Sequence, residues 1–152
     1  EGAPFQLMAS DVASMHIRRL EAGILDYGSD IDQSLNPFEL GLGQFVDLSK
    51  DDFIGRRALL ETDRRATRVM GLRSHEVRPI RGDCLMNEAG DSLGAITAGA
   101  WSPSLDCGIG IIRLDRPIDP DVALRLRTET GNFQAELCPL PFYDPQKRIP
   151  RL

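Results

Sequence analysis

The chain has 152 residues, of which 41% are hydrophobic and 27% charged, the make-up of a soluble globular protein able to bury a core without a metal or disulfide staple. Eighteen basic against 23 acidic side chains leave a net charge of -5, which excludes the broad positive field of a nucleic-acid binder. Apolar runs are only a few residues long, too short for a membrane-spanning helix.

In chain order, Ser10 or Asp11 can cap a first helix whose apolar positions Ala13, Ile17, Leu20 and Ile24 recur at helical spacing, with Gly23 near its stop. At about 100° per residue Glu21 falls about 40° from Ile17, on the shoulder of the buried stripe. Asp26 to Asn36 is polar and turn-rich and reads as an ordered surface loop. Pro37 to Leu40 then reads as a short helix opening on proline, Phe45 to Leu48 as a strand, and Gly55 to Thr62 as another short helix. The basic stretch Arg64, Arg65, Arg68 marks a boundary, dividing the chain into residues 1–64 and 65–152.

Beyond that boundary short strands alternate with Gly, Pro, Asn and Asp. They are expected at Arg68 to Arg73, Gly82 to Met86, Leu93 to Thr97, Gly108 to Arg113, Val122 to Arg127 and Phe133 to Leu137. The fold class is therefore α+β, a helical part followed by a six-stranded antiparallel barrel.

Familiar catalytic signatures are missing. His16 and His75 lack metal-ligand spacing, and no nucleophile elbow, phosphate loop or dinucleotide fingerprint opens a helix. No metal is expected. Asp26, Asp30 and Asp32 resemble a cation loop only superficially, since Ile31 and Pro37 stand where an EF-hand needs Gly and Glu, and they read as a solvated loop capping its own turns. The doublets Arg18-Arg19, Arg56-Arg57 and Arg64-Arg65 read as solvated faces, and Arg18 can pair with Glu21 at i,i+3. Cys84, Cys107 and Cys138, an odd number without a CxxC pair, fit core thiols in a reducing compartment. The start Glu1-Gly2-Ala3-Pro4-Phe5 has no signal-peptide character, so a cytoplasmic location is expected, and the lack of an initiating Met fits either trimming or a start inside a longer reading frame.

The runs His16-Ile17-Arg18-Arg19-Leu20-Glu21-Ala22-Gly23, Tyr27-Gly28-Ser29-Asp30-Ile31-Asp32 and Asn36-Pro37-Phe38-Glu39-Leu40-Gly41-Leu42-Gly43 follow one another in a fixed order. With Asp52-Phe53-Ile54-Gly55-Arg56 and Thr97-Ala98-Gly99-Ala100-Trp101-Ser102-Pro103-Ser104-Leu105, they resemble the "RLEAG…YGxDID…TPxExGLG", "FIGR" and "TSGxxSPSL" segments of the glycine-cleavage T-protein, or aminomethyltransferase, family. The ending Pro141-Phe142-Tyr143-Asp144-Pro145-Gln146-Lys147 looks more like the T-protein-like methyltransferase branch that includes dimethylsulfoniopropionate demethylases.

The resemblance implies that residues 1–64 are the end of a tetrahydrofolate-binding domain and 65–152 a C-terminal barrel. It places the pterin-binding carboxylate on Glu21, with Tyr27 as a second cofactor-binding residue, and makes Trp101 a barrel or pocket wall, or core packing. It further implies a tetrahydrofolate-dependent aminomethyl or methyl transferase whose essential Asp belongs to an N-terminal half that this chain lacks, so that the chain carries no catalytic residue of its own. The expected partners are folate, a small methyl or aminomethyl donor and that missing half, with neither nucleic acid nor membrane. The alternative is a non-catalytic folate-sensing or assembly module of the same superfamily.

Overall fold

A computed structural model describes residues 11–62, 67–118, 123–146 and 148. Ser10, Arg64, Arg65 and Val122, and with Arg64 the expected boundary, lie outside the described residues.

The first helix, α1, spans Val12–Glu21. Asp11 caps it, its carboxylate accepting the Ser14 N–H at 2.9 Å. Gly23 ends it in a left-handed conformation (φ 64), and a Cβ there would stand 3.0 Å from Pro141 Cα, so backbone geometry and close packing both require glycine. The buried stripe is narrower than the periodicity predicts. Leu20 is fully buried and Ile17 partly so, whereas Ala13 and Ile24 are exposed, Ile24 because the helix stops before it.

Pro37 to Leu40 is a turn rather than a helix. Asn36 Oδ1 accepts the N–H groups of Phe38 and Glu39, and Glu39 Oε2 in return accepts the Asn36 backbone and side-chain N–H groups, a reciprocal cap that closes the turn. The strand expected at Phe45 to Leu48 is absent: a 3₁₀ turn at Gly43–Phe45 ends where it would begin, and irregular chain follows. The last short helix, α2, is Arg56–Leu60.

Six antiparallel strands follow: β1 Val69–Ser74, β2 Cys84–Asn87, β3 Ser92–Ser102, β4 Cys107–Leu114, β5 Leu124–Thr128 and β6 Gly131–Cys138. They close into a barrel in the order β1-β4-β3-β2-β5-β6, with β6 pairing back onto β1. Closure leaves no unpaired sheet edge. The fold class read from the sequence is thus observed, though β3 runs five residues past its expected end at Thr97.

Two cores result. Leu72, Leu85, Ile96, Ile112, Leu114 and Leu126 fill the barrel interior. On the outer face, Ala98, Ala100, Ile109 and Ile111 receive Leu20, Leu35 and Phe142. β3 contributes to both, and its register with β4 shifts between Ile96 and Ala98, a bulge that turns Thr97 and Ala98 together to the outer face. Trp101 pairs with Gly108 at the end of β3 and is 37% exposed, so it stands on the barrel rim and not in the packed core.

Candidate functional site

The carboxylate singled out at the end of α1 is held by the barrel. Glu21 is only 9% exposed, and its Oε1 accepts the Ser102 hydroxyl at 2.6 Å. Ser102 ends β3 on the face that receives α1, so the interaction joins residues far apart in sequence. The C-terminal segment fixes the Glu21 backbone as well, Tyr143 N–H donating to the Glu21 carbonyl at 2.9 Å. Arg18, the alternative partner, is exposed and forms no ion pair with Glu21 among the described residues.

Glu21 opens onto a cleft of about 820 Å³ on the outer side of the barrel. Ile17 and Ile24, Pro103 from the turn after β3, and Pro141 and Tyr143 from the C-terminal segment give it apolar walls. A flat, partly apolar molecule carrying N–H donors at one edge suits this lining, because a carboxylate can only accept hydrogen bonds. Tyr143 and Pro103 are site residues that the sequence reading did not single out. The signal available was the pairing of two proline-containing segments, Ser102-Pro103 and Pro141-Phe142-Tyr143, and only the fold shows that they converge.

Tyr27 lies elsewhere. It is 71% exposed, bridges to Ile31 and is not among the residues lining the cleft.

The acidic loop after α1 is not simply solvated. Asp26 and Asp32 do cap local turns through Ser29 and Ser34, but Asp30 is fully buried. Its carboxylate takes Arg19 Nη1 at 2.8 Å, the Asp26 N–H at 2.9 Å and the Thr97 hydroxyl at 2.6 Å, a donor set that offsets the cost of burying the charge. Asp32 pairs with Arg113 of β4 at 2.8 Å. Hydrogen bonds from the Ser34 hydroxyl, then from Arg113, and then from the Ser34 N–H hold its carboxyl well below the usual carboxylate range. The arginine doublets split in the same manner. Arg19 turns inward to Asp30 and Arg56 donates to the Leu48 carbonyl, while Arg18 and Arg57 face solvent.

All three cysteines are free thiols. Burial pushes Cys107 up and Cys138 up to about 11, so both act as packing residues. No described helix is long and apolar enough to cross a membrane.

A closed antiparallel barrel carrying a carboxylate-bearing helix and a cleft on its outer face defines a barrel domain with a helical flank. The family model of the glycine cleavage T-protein C-terminal barrel domain matches residues 67–144. An aminomethyltransferase of Thermotoga neapolitana is 35% identical over 94% of this chain and 38% of its own length. One from Saccharopolyspora erythraea is 33% identical over 93% of this chain and 40% of its own length. The crystal structure of the glycine cleavage system aminomethyltransferase T from Bartonella henselae superposes with a TM-score of 0.75 at 25% identity, covering 88% of this chain and 39% of that one. The chain belongs to the glycine cleavage T-protein family, and it spans about two-fifths of the length of these relatives.

Proposed function

We propose that this chain is the C-terminal part of a tetrahydrofolate-dependent aminomethyl or methyl transferase and supplies the carboxylate that holds the pterin ring. The observation that carries this reading is Glu21, buried to 9% exposure at the edge of the cleft with one carboxylate oxygen anchored by Ser102. The residues present fit the group. A pterin offers N3–H and a 2-amino group side by side, a donor pair that a carboxylate accepts, and Ile17, Ile24 and Tyr143 offer apolar surface to its ring.

Tetrahydrofolate, when bound, supplies the nitrogen that accepts the one-carbon unit. The contribution of this chain is placement. Glu21 fixes the ring edge, the cleft walls displace water from its faces, and the nitrogen is thereby held in one position relative to a donor. Tyr27 belongs to the proposal as an exposed ring outside the cleft lining, where it would meet only a part of the ligand reaching beyond the cleft. A cytoplasmic location, the small aminomethyl or methyl donor and an N-terminal half supplying the acidic catalytic residue complete the proposal.

Calorimetric titration with tetrahydrofolate tests it. Glu21→Gln is expected to weaken binding at least about tenfold, since a hydrogen bond to a charged group contributes about 1.5–3 kcal/mol. Equal affinity of the two forms would remove Glu21 from the folate site.

A further inference from the structure

The Glu21 carboxylate is not oriented by its own helix. Among the described residues its Oε1 has one partner, the Ser102 hydroxyl at 2.6 Å, and its Oε2 has none. A second hydrogen bond supports the first. A carboxylate can only accept, so the proton of the first belongs to Ser102, while the Leu105 N–H donates to a lone pair of Ser102 Oγ at 3.1 Å and helps to hold the hydroxyl oxygen in place. Ser102 is fully buried, so water does not compete for either bond.

We infer that Ser102 is a positioning residue for ligand binding: it clamps one oxygen of Glu21 so that the other is presented to the cleft. The inference rests on the tetrahydrofolate reading of the cleft and adds to it a role for the barrel. The barrel interior is packed with side chains, yet the end of β3 sets the geometry of a carboxylate carried by α1. The turn Pro103 to Asp106 then has two tasks. Its Pro103 and Ser104 line the cleft, and its Leu105 N–H holds the Ser102 hydroxyl oxygen. A free glutamate side chain explores several rotamers, and fixing it before the ligand arrives removes that ordering cost from binding.

A double-mutant cycle tests the inference with tetrahydrofolate as the probe, titrated calorimetrically into the whole chain, with thermal unfolding measured in parallel. Ser102→Ala is expected to weaken binding about fivefold to tenfold, as for a glutamate side chain that must be ordered when the ligand binds. In the Glu21→Gln background the same substitution is expected to cost less than about twofold, because its effect is routed through the carboxylate. A Ser102→Ala variant that melts earlier but binds with unchanged affinity overturns the positioning role and leaves the Glu21 reading intact. Equal fold-losses in the two backgrounds overturn it too. If Glu21→Gln itself leaves affinity unchanged, the folate reading fails and the role of Ser102 fails with it. Should Ser102→Ala unfold, Ser102→Cys, which keeps the shape and weakens the donor, takes its place in the same cycle with the same outcomes.

Discussion

The Thr97 hydroxyl donates to Asp30 Oδ1 at 2.6 Å, tying β3 to the loop that follows α1, and five positions further along the same strand Ser102 holds Glu21. One strand thus grips the helical part twice, once at each end of its outward-facing half. The bulge at Thr97 makes this possible, since regular alternation would aim Thr97 outward and Ala98 inward, against the packing of Ala98 beside Leu20.

Thr97→Val keeps the shape of the side chain and deletes its donor. It leaves a fully buried carboxylate oxygen short of a hydrogen bond, so a loss of about 1–3 kcal/mol is expected in urea unfolding. Ser29→Ala removes an exposed hydrogen bond to Asp26 in the same loop and is expected to change stability by no more than about 0.5 kcal/mol.

The Asp32–Arg113 clip predicts an acid-sensitive contribution. The folded-state carboxyl titrates well below the ordinary aspartate range, because Ser34 and Arg113 favour the ionised form. A lowered folded pKa gives stability that is fully present above the unfolded value and is lost as pH falls through the folded one. The stability difference between the wild type and Asp32→Asn is therefore expected to be largest near neutrality and to shrink as pH drops below about 4. Denaturant titrations over that range check it. A difference that stays constant with pH would mean that the ion pair contributes nothing.

Much of the barrel was legible in the sequence because its strands alternate or are rich in Ile, Leu and Val and are bounded by Gly, Asn and Asp. The second half of β3 was not, since Thr97-Ala98-Gly99-Ala100-Trp101-Ser102 is small, lacks β-branched residues after Thr97 and follows a bulge that breaks the period. The strand expected at Phe45 to Leu48 and the helix at Pro37 to Leu40 failed for local reasons, a 3₁₀ turn and the Asn36–Glu39 cap. Glu21 stood out from its position beside the apolar stripe. Its anchor did not, because Ser102 lies 81 residues away and no spacing rule links the two. The burial of Asp30 was hidden for the same reason, its decisive partner Thr97 being 67 residues distant.

Burial also sets the thiol chemistry. With Cys138 pushed up to about 11 by desolvation, its thiolate is scarce at neutral pH, and the alkylation rate at that position is expected to keep rising about tenfold per pH unit through about pH 10. Peptide mass spectrometry after timed iodoacetamide treatment measures this directly. A rise that levels off near pH 9 would show an accessible, ordinary thiol and a looser C-terminal end of β6 than the structure has.

Gly108 is where sequence, packing and site meet most tightly. A Cβ there would strike the Val77 carbonyl oxygen and stand 2.7 Å from Pro79 Cδ, because the 77–79 segment crosses the barrel end at the start of β4. The obstacle is backbone, which cannot step aside as a flexible side chain can, so Gly108→Ala is expected to cost about 3 kcal/mol, at the upper end for overpacking. Gly90→Ala provides the contrast: it has open space around its Cβ but a φ of 86, so its cost is conformational, about 1–2 kcal/mol. Gly108 pairs with Trp101, and the neighbouring pair is Cys107 with Ser102. A displacement of the β4 end by the Gly108→Ala collision would pass to the adjoining Cys107–Ser102 pair, so tetrahydrofolate affinity is expected to fall in this variant and to hold in Gly90→Ala, with unfolding and calorimetry run on both.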